Sequence, residues 1–208
     1  TLSSSSAASD VYKRQVWIWG NRGGQDPEAM VISTPKTVFV VFRGTDRVAQ
    51  AKKKVGYDWA EWIQTDFVAL GIPPQVGPLR GLVHAGFWGS LTAPASLFVP
   101  ANTQVPGGIS NGLPFRDALL AVIKAFGGDQ KKVWMVGHSL GAAHVQLDAA
   151  YLTANNLSPQ GVYAIAAPHV GDQTFVNQLN AMFPNNRLQR FDFVHDPVTK
   201  VPPNAPLP

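Results

Sequence analysis

Val133–Ala154 reads VWMVGHSLGAAHVQLDAAYLTA, a short apolar run followed by a longer helical pattern. The first four residues predict a buried strand, and a helix is expected from about Ser139 onward. Between the two lies a G-x-S-x-G pentapeptide, Gly137–Gly141. Its glycines permit the sharp strand-to-helix turn that exposes a serine hydroxyl for nucleophilic attack. Such a turn also points the backbone N–H of Leu140 at a developing oxyanion.

Apolar runs of strand length recur along the rest of the chain and alternate with helical patterns. We predict helices at Phe115–Phe126 and Asp172–Phe183, and further strands at Val16–Trp19, Glu28–Ser33, Thr37–Phe42, Gly161–Ala166 and Leu188–Val194. A stretch rich in proline and glycine, Ala93–Leu113, predicts a long surface loop. Strands that alternate with helices are typical of an α/β fold, so we expect a central, mostly parallel sheet with helices on both faces.

Length and composition exclude several classes of protein. The chain has 208 residues, which suits one domain, and 45% of them are hydrophobic while 14% are charged. The absence of cysteine excludes disulfide scaffolds, thiolate zinc sites and cysteine nucleophiles. The net charge of +4 comes from scattered basic residues, so nothing indicates nucleic-acid binding. No apolar run reaches the ~18–20 residues of a transmembrane helix, and no H-E-x-x-H spacing implies a metal; we expect no cofactor.

The first fifteen residues differ in character from the rest. Ser5–Gln15 reads SSAASDVYKRQ and resembles the in-frame translation of a sequencing-library adaptor. We therefore expect residues 1–15 to be a non-native scar and residues 16–208 to form a single domain. On this interpretation the natural N-terminus lies outside the sequence, so the localisation stays open, with secretion one option.

A serine nucleophile needs a base, and in folds with this turn an acid and then a histidine follow the serine along the chain. Four aspartates follow Ser139, namely Asp148, Asp172, Asp192 and Asp196. Asp148 lies inside the predicted helix, Asp172 opens another helix, and Asp192 alternates with phenylalanines in a predicted strand. Asp196 comes just past the end of that strand, where sheet enzymes place functional residues. We predict that Asp196 is the triad acid.

Six short motifs follow one another between about residues 38 and 203. They are Val40–Thr45 (VVFRGT), Trp62–Asp66 (WIQTD), Val83–Phe87 (VHAGF), Gly137–Ala142 (GHSLGA), Pro168–Phe175 (PHVGDQTF) and Asp196–Pro203 (DPVTKVPP). In this order they resemble the class 3 lipase family. The resemblance implies the α/β-hydrolase fold and hydrolysis of carboxylic esters through an acyl-enzyme.

The resemblance also implies roles for individual residues. Ser139 matches the family's nucleophile, and Asp196 matches its triad acid, in agreement with the choice made from chain order. Thr45, which follows the FRG sequence, matches the oxyanion-hole residue that donates alongside the Leu140 N–H.

The family's lid begins near the oxyanion-hole residue, so the matching region here is Asp46–Trp62. We expect this region to form a mobile cover with a wet outer side and an apolar inner side. The lid candidates are Lys52, Lys53, Lys54, Trp59 and Trp62.

Three positions depart from the family pattern. Ala142 replaces the last glycine of GHSLGG, and His169 stands where the family commonly has arginine. The more serious departure is the base, because no histidine follows Asp196. The five histidines are His84, His138, His144, His169 and His195. We expect a fragment cut at both ends that lacks its catalytic histidine and has little or no activity by itself.

The sequence thus predicts a triacylglycerol-type lipase whose partner is a lipid ester at an interface. A phospholipase or a feruloyl-type esterase of the same fold remains an alternative. A non-catalytic lipid-binding relative is a further one, which the missing histidine alone supports. Acyl chain length and oligomeric state are not encoded in any recognisable pattern.

Overall fold

A computed structural model describes residues 14–20, 27–45, 71–101, 103, 105 and 108–201. The five lid candidates, Lys52, Lys53, Lys54, Trp59 and Trp62, lie outside the described residues, as does most of the predicted scar. The first strand nevertheless begins at Gln15, the last residue of the predicted scar, and pairs with Ile32.

Within the described ranges, nine strands form two sheets. The large sheet has seven strands in the order β6-β1-β2-β3-β7-β8-β9, and β4 and β5 form a small antiparallel pair. The strands are β1 (Gln15–Gly20), β2 (Glu28–Ser33), β3 (Thr37–Phe42), β4 (Gly71–Ile72), β5 (Val83–His84), β6 (Ala95–Phe98), β7 (Lys132–His138), β8 (Gly161–Ile165) and β9 (Leu188–Phe191).

The large sheet has a parallel half and an antiparallel half. Strands β3, β7, β8 and β9 run parallel, whereas β6, β1, β2 and β3 are joined by antiparallel pairing. The sequence predicted a strand at each of the four positions of this parallel half, and these predictions are confirmed, although β9 ends at Phe191 rather than Val194. Their carboxyl ends meet at one edge of the sheet, which is the edge that carries the site.

The prediction of an unbroken surface loop over Ala93–Leu113 is wrong for one segment. Strand β6 lies within it and pairs with β1, with Ala95 opposite Gly20. The Ala95 N–H donates to the Leu113 carbonyl at 2.7 Å, so the chain folds back beside the strand. The four residues ASLF are too short and too weakly patterned to indicate a strand without their partner.

The chain also forms four α-helices in the described part, and their caps explain where they begin. The side chain of His84 accepts a hydrogen bond from the Phe87 N–H at the start of α1, and Asp172 caps α4 through the Phe175 N–H. Helix α1 was not expected. The helices are α1 (Ala85–Leu91), α2 (Phe115–Ala125), α3 (Leu140–Ala154) and α4 (Gln173–Met182).

The core lies between one face of the sheet and the helices. Val38 and Val40 of β3, Val133 and Met135 of β7 and their counterparts in the other strands are fully or almost fully buried. Helix α3 contacts β7, β8 and β3, and all of its residues from Gly141 to Leu152 are buried. Because α3 is covered on every side, the element that carries the predicted nucleophile at its start is the central helix of the core.

The second face of the large sheet carries exposed aromatic and aliphatic side chains. In the described part of the chain, the helices that contact the large sheet do so on the first face, so helices are observed on one face only. On the second face Trp134 stacks on Tyr163, and Tyr163 on Phe191, with ring centroids 6.0 and 6.3 Å apart. The exposed side chains there include Trp17, Trp19, Phe39, Val41 and Phe98.

Candidate active site

Ser139 occupies a strained turn between β7 and α3. Its backbone has φ 54° and ψ −123°, a conformation that residues with a Cβ rarely adopt. The Ser139 N–H donates to the Ile165 carbonyl at 3.0 Å, which ties the turn to the end of β8. The Ser139 carbonyl accepts from the Ala142 N–H at 2.9 Å and so starts the helix. Strain held in this way by surrounding structure is typical of a functional residue.

The two flanking glycines are required by close backbone approach. A Cβ at Gly137 would collide with the Gly141 carbonyl. A Cβ at Gly141 would lie 2.6 Å from the Arg43 carbonyl oxygen and 2.8 Å from that of Phe42. The turn therefore packs directly on the carboxyl end of β3, the neighbouring strand.

This packing brings the predicted oxyanion-hole segment beside the serine. A Cβ at Gly44 would lie 3.0 Å from the His138 carbonyl oxygen and 3.7 Å from the Ser139 Cβ. Thr45, the next residue, is half-buried. Leu140 begins a 15-residue helix, so its N–H is among the first, unpaired donors of that helix. Both predicted donors thus lie on segments that adjoin Ser139.

Arg43 lies on the same segment and makes a contact away from the serine. Its Nη1 is 2.7 Å from Oε2 of Glu28, and its backbone N–H donates to the Glu28 carbonyl at 2.9 Å. The ion pair holds the end of β3 against the start of β2. Because both side chains are substantially exposed, the pair adds little to the stability of the fold.

Asp196 follows β9 and begins a short 3₁₀-helix, Pro197–Lys200. Its Oδ1 accepts from the Val198 N–H at 2.9 Å, which fixes the carboxylate, and the side chain is half-buried. Ser139 follows β7, and β8 separates β7 from β9. Two strand spacings are about 9.6 Å, so the axes of β7 and β9 lie about that far apart.

The other three aspartates have different environments. Asp148 is fully buried in α3, where burial raises its pKa well above the ordinary value and the nearby charge of Arg116 opposes that rise. Asp172 caps α4, and the Oδ2 of Asp192 lies 3.1 Å from Nη2 of Arg190. Asp172 and Asp192 also follow strands of the parallel half, and Asp196 stays the predicted triad acid.

Two of the histidines are unsuited to act as a base. His144 is fully buried, and burial lowers its pKa to about 3. Burial also lowers the pKa of His84 to about 4, although a backbone hydrogen bond opposes the shift. His138 and His195 are exposed and directly precede Ser139 and Asp196. The side chains of directly adjacent residues generally diverge, which disfavours both as bridges between serine and acid.

A match to a protein family covers the segments that form this candidate site. The family model described as "Lipase (class 3)" matches residues 39–205. The chain belongs to the class 3 lipase family. The matched range contains Ser139, Asp196, Thr45 and Leu140.

Curated relatives of this class 3 lipase chain are named as phospholipases. Phospholipase A1-II 3 of Oryza sativa subsp. indica is 26% identical over 185 residues, which cover 82% of this chain and 40% of that protein. Phospholipase A1-II 4 of Oryza sativa subsp. japonica is 32% identical over 130 residues, 58% of this chain and 30% of that protein. The chain thus spans less than half the length of either relative.

Solved structures confirm the α/β-hydrolase fold. The MDLA N225Q mutant of Penicillium cyclopium has a TM-score of 0.62 at 23% identity, with 89% of this chain and 56% of that chain covered. Lipase II from Rhizopus niveus has a TM-score of 0.60 at 25% identity, with coverages of 89% and 59%.

The structure also shows features that the sequence did not indicate. Ala166, at the end of β8 and between the serine and acid strands, has φ 51°, and its N–H donates to the Phe191 carbonyl at 2.8 Å. No sequence signal marks an alanine for this conformation. The His169 N–H donates to the Val201 carbonyl at 2.8 Å, so the segment after β8 holds the segment that carries Asp196.

Two kinds of feature are absent from the described residues. No group of three or more histidine, aspartate or glutamate side chains there is placed to hold a metal ion. None of the helices in the described ranges is long and apolar enough to cross a membrane.

Proposed function

We propose that the whole protein to which this chain belongs hydrolyses lipid esters with Ser139 as nucleophile. The observation that carries the proposal is the strained turn at Ser139, packed against the segment of Gly44 and Thr45. A serine held at positive φ on the edge where parallel strands end is the arrangement of a nucleophile elbow, which serves acyl transfer.

The chemistry follows from the placement of these residues. The Ser139 Oγ attacks the ester carbonyl carbon while a base removes its proton, and the carbonyl oxygen becomes an oxyanion. The Leu140 N–H and Thr45 donate to that oxyanion. The base then protonates the leaving alcohol, which departs and leaves an acyl-enzyme on Ser139. Water, deprotonated by the same base, releases the carboxylic acid and restores the serine.

We propose that the base is a histidine oriented by Asp196 and supplied by a part of the whole protein outside these 208 residues. The buried environments of His84 and His144 support this proposal. By itself, the chain is then expected to show only the residual hydrolysis that an oxyanion hole provides, roughly 10³–10⁴-fold over water.

For the substrate we propose acylglycerols of the triacylglycerol type. A phospholipid is the second candidate, and the names of the two rice relatives favour it. Emulsified triolein and vesicles of phosphatidylcholine distinguish the two when fatty-acid release is measured on each. Release from neither would favour the non-catalytic lipid-binding alternative.

Substitution of Ser139 in the whole protein tests the mechanism. Ser139→Ala is expected to abolish release of fatty acid, whereas Ser110→Ala, at an exposed serine far along the chain from the turn, is expected to leave it unchanged. Retention of wild-type turnover in Ser139→Ala would reject the serine mechanism.

A further inference from the structure

Residues 192–201 follow β9 and carry the predicted triad acid, and we call them the acid loop. The loop is anchored just before its first residue and at its last residue by the segment that directly follows β8. The Ala166 N–H donates to the Phe191 carbonyl at 2.8 Å, and the His169 N–H donates to the Val201 carbonyl at 2.8 Å. The acid loop therefore begins and ends beside the same short segment.

The segment after β8 is also tied to the predicted nucleophile. Ile165, the last residue of β8, accepts through its carbonyl from the Ser139 N–H at 3.0 Å. Ala166 comes next and is held at φ 51°, a conformation that an alanine adopts when the surrounding structure imposes it. The serine turn and the acid loop thus share one support, and a shift of either against this support changes the distance between nucleophile and acid.

The side chain of Arg190 adds a further bond to this support. Arg190 lies on β9, and its Nη2 donates to the Ala167 carbonyl at 2.8 Å. Ala167 is fully buried. Pro168, the next residue, has no N–H. The guanidinium therefore supplies a donor beside a stretch of backbone that lacks one.

Asp192, the first residue of the acid loop, binds the same guanidinium. Its Oδ2 accepts from Nη2 of Arg190 at 3.1 Å and from Nε at 3.3 Å. The side chains of Arg190 and Asp192 are 29% and 36% exposed, so the ion pair by itself adds little to stability. Its effect is geometric, because the planar guanidinium holds the Ala167 carbonyl and the Asp192 carboxylate at fixed positions relative to each other.

We propose that Arg190 is a positioning residue, which clamps the acid loop to the segment after β8 and so fixes Asp196 relative to Ser139. Beyond the clamp, the Asp196 N–H donates to the Phe193 carbonyl at 3.0 Å, and the Asp196 carboxylate is held by the Val198 N–H. A displacement of about 1 Å in a catalytic group can lower a rate ~100-fold. The inference rests on the proposed role of Asp196 as triad acid.

Arg187, at the other end of β9, offers a matched control. Its Nη2 donates to the Met182 carbonyl at 3.0 Å and its Nη1 donates to the Pro159 carbonyl at 3.1 Å. It thus ties β9 to neighbouring segments as Arg190 does, but at the edge of the sheet opposite the serine. Comparison of the two arginines separates a general loss of stability from an effect on the acid loop.

Hydrogen exchange of the Val198 N–H, followed by NMR in the 208-residue chain, tests the clamp without reference to activity. Arg190→Met, which removes the donors of the side chain, is expected to raise the exchange rate about tenfold, the factor that one hydrogen bond contributes. Arg187→Met is expected to leave the rate within about twofold of wild type. A wild-type rate in Arg190→Met, or an equal rise in both variants, would overturn the proposal.

Arg190→Lys covers the case in which Arg190→Met does not fold. Lysine keeps the positive charge but cannot hold two acceptors in one plane, so a rise in the exchange rate of about threefold is expected. A wild-type exchange rate in Arg190→Lys would refute the clamp.

Turnover of soluble p-nitrophenyl butyrate by the whole protein tests the consequence for catalysis. Arg190→Met is expected to lower kcat ~10- to 100-fold with KM within about twofold of wild type, and Arg187→Met is expected to leave both unchanged. Asp196→Asn is measured beside them. An unchanged kcat in Asp196→Asn would reject the proposed acid itself. A loss in Asp196→Asn with none in Arg190→Met would leave the acid in place and reject the positioning role of Arg190.

Discussion

Acidification should destabilise the fold through His144. The folded pKa of His144 is about 3 because the ring is buried, whereas in the unfolded chain the pKa is near the ordinary value of 6.5. As the pH falls, the unfolded state therefore takes up the proton first, so stability present above pH 6.5 is lost progressively down to about pH 3. At pH 4.5, two units below the unfolded pKa, the loss is about 3 kcal/mol. Such a loss is a large part of a stability of roughly 5–15 kcal/mol.

Urea unfolding followed by tryptophan fluorescence at pH 7.5 and pH 4.5 measures this loss. His144→Gln removes the titrating ring and keeps an amide that can donate to Ser90. We expect the variant to lose about 3 kcal/mol less than wild type between the two pH values. Burial lowers the pKa of His84 to about 4. His84 therefore adds the same pH-dependent loss of stability to the variant and to wild type, and this loss cancels in the comparison.

His138→Gln is the matched control, because His138 is exposed. It is expected to keep the wild-type pH dependence. An equal loss of stability in His144→Gln and wild type would show that His144 is not held neutral by burial, and the reasoning from its environment would be refuted.

Three further predictions concern the site. Gly141→Ala should lower the free energy of unfolding by about 1–3 kcal/mol, because the added Cβ meets the Arg43 and Phe42 carbonyls; an unchanged urea midpoint would contradict the observed packing. In the whole protein, Asp196→Asn should lower kcat about 10⁴-fold, since the histidine would lose its orienting carboxylate, and a small change in kcat would remove Asp196 from the triad. Trp59→Ala or Trp62→Ala should reduce activity on emulsified long-chain esters more than on soluble p-nitrophenyl esters, because an apolar lid face matters most when it opens onto lipid. Equal losses on the two substrates would make these tryptophans ordinary core residues.

Local patterns in the sequence predicted much of the fold. Strands β2 and β3 begin and end where expected, because each is a complete apolar or β-branched run bounded by turn residues. Helix α1 was missed because seven residues with two glycines give no helical period. Strand β6 was missed because its pairing with β1 joins segments far apart in the sequence.

The candidate site also has parts that local sequence patterns predict and parts that they do not. The turn at Ser139 is a local pattern of glycines, so its position was predictable from five residues. The contact of Ser90 with His144 spans 54 residues and depends on how two helices meet, which no local pattern encodes. The positive φ of Ala166 likewise arises from the neighbouring strands rather than from the residue itself.

Covalent labelling of the whole protein with diethyl p-nitrophenyl phosphate tests the central claim most directly. The reagent phosphorylates an activated serine, and peptide mass spectrometry locates the added diethyl phosphate. We predict a single adduct on the peptide that contains Ser139, and none in Ser139→Ala. An adduct at another residue, or a labelled Ser139→Ala protein, would contradict the assignment of Ser139 as the nucleophile.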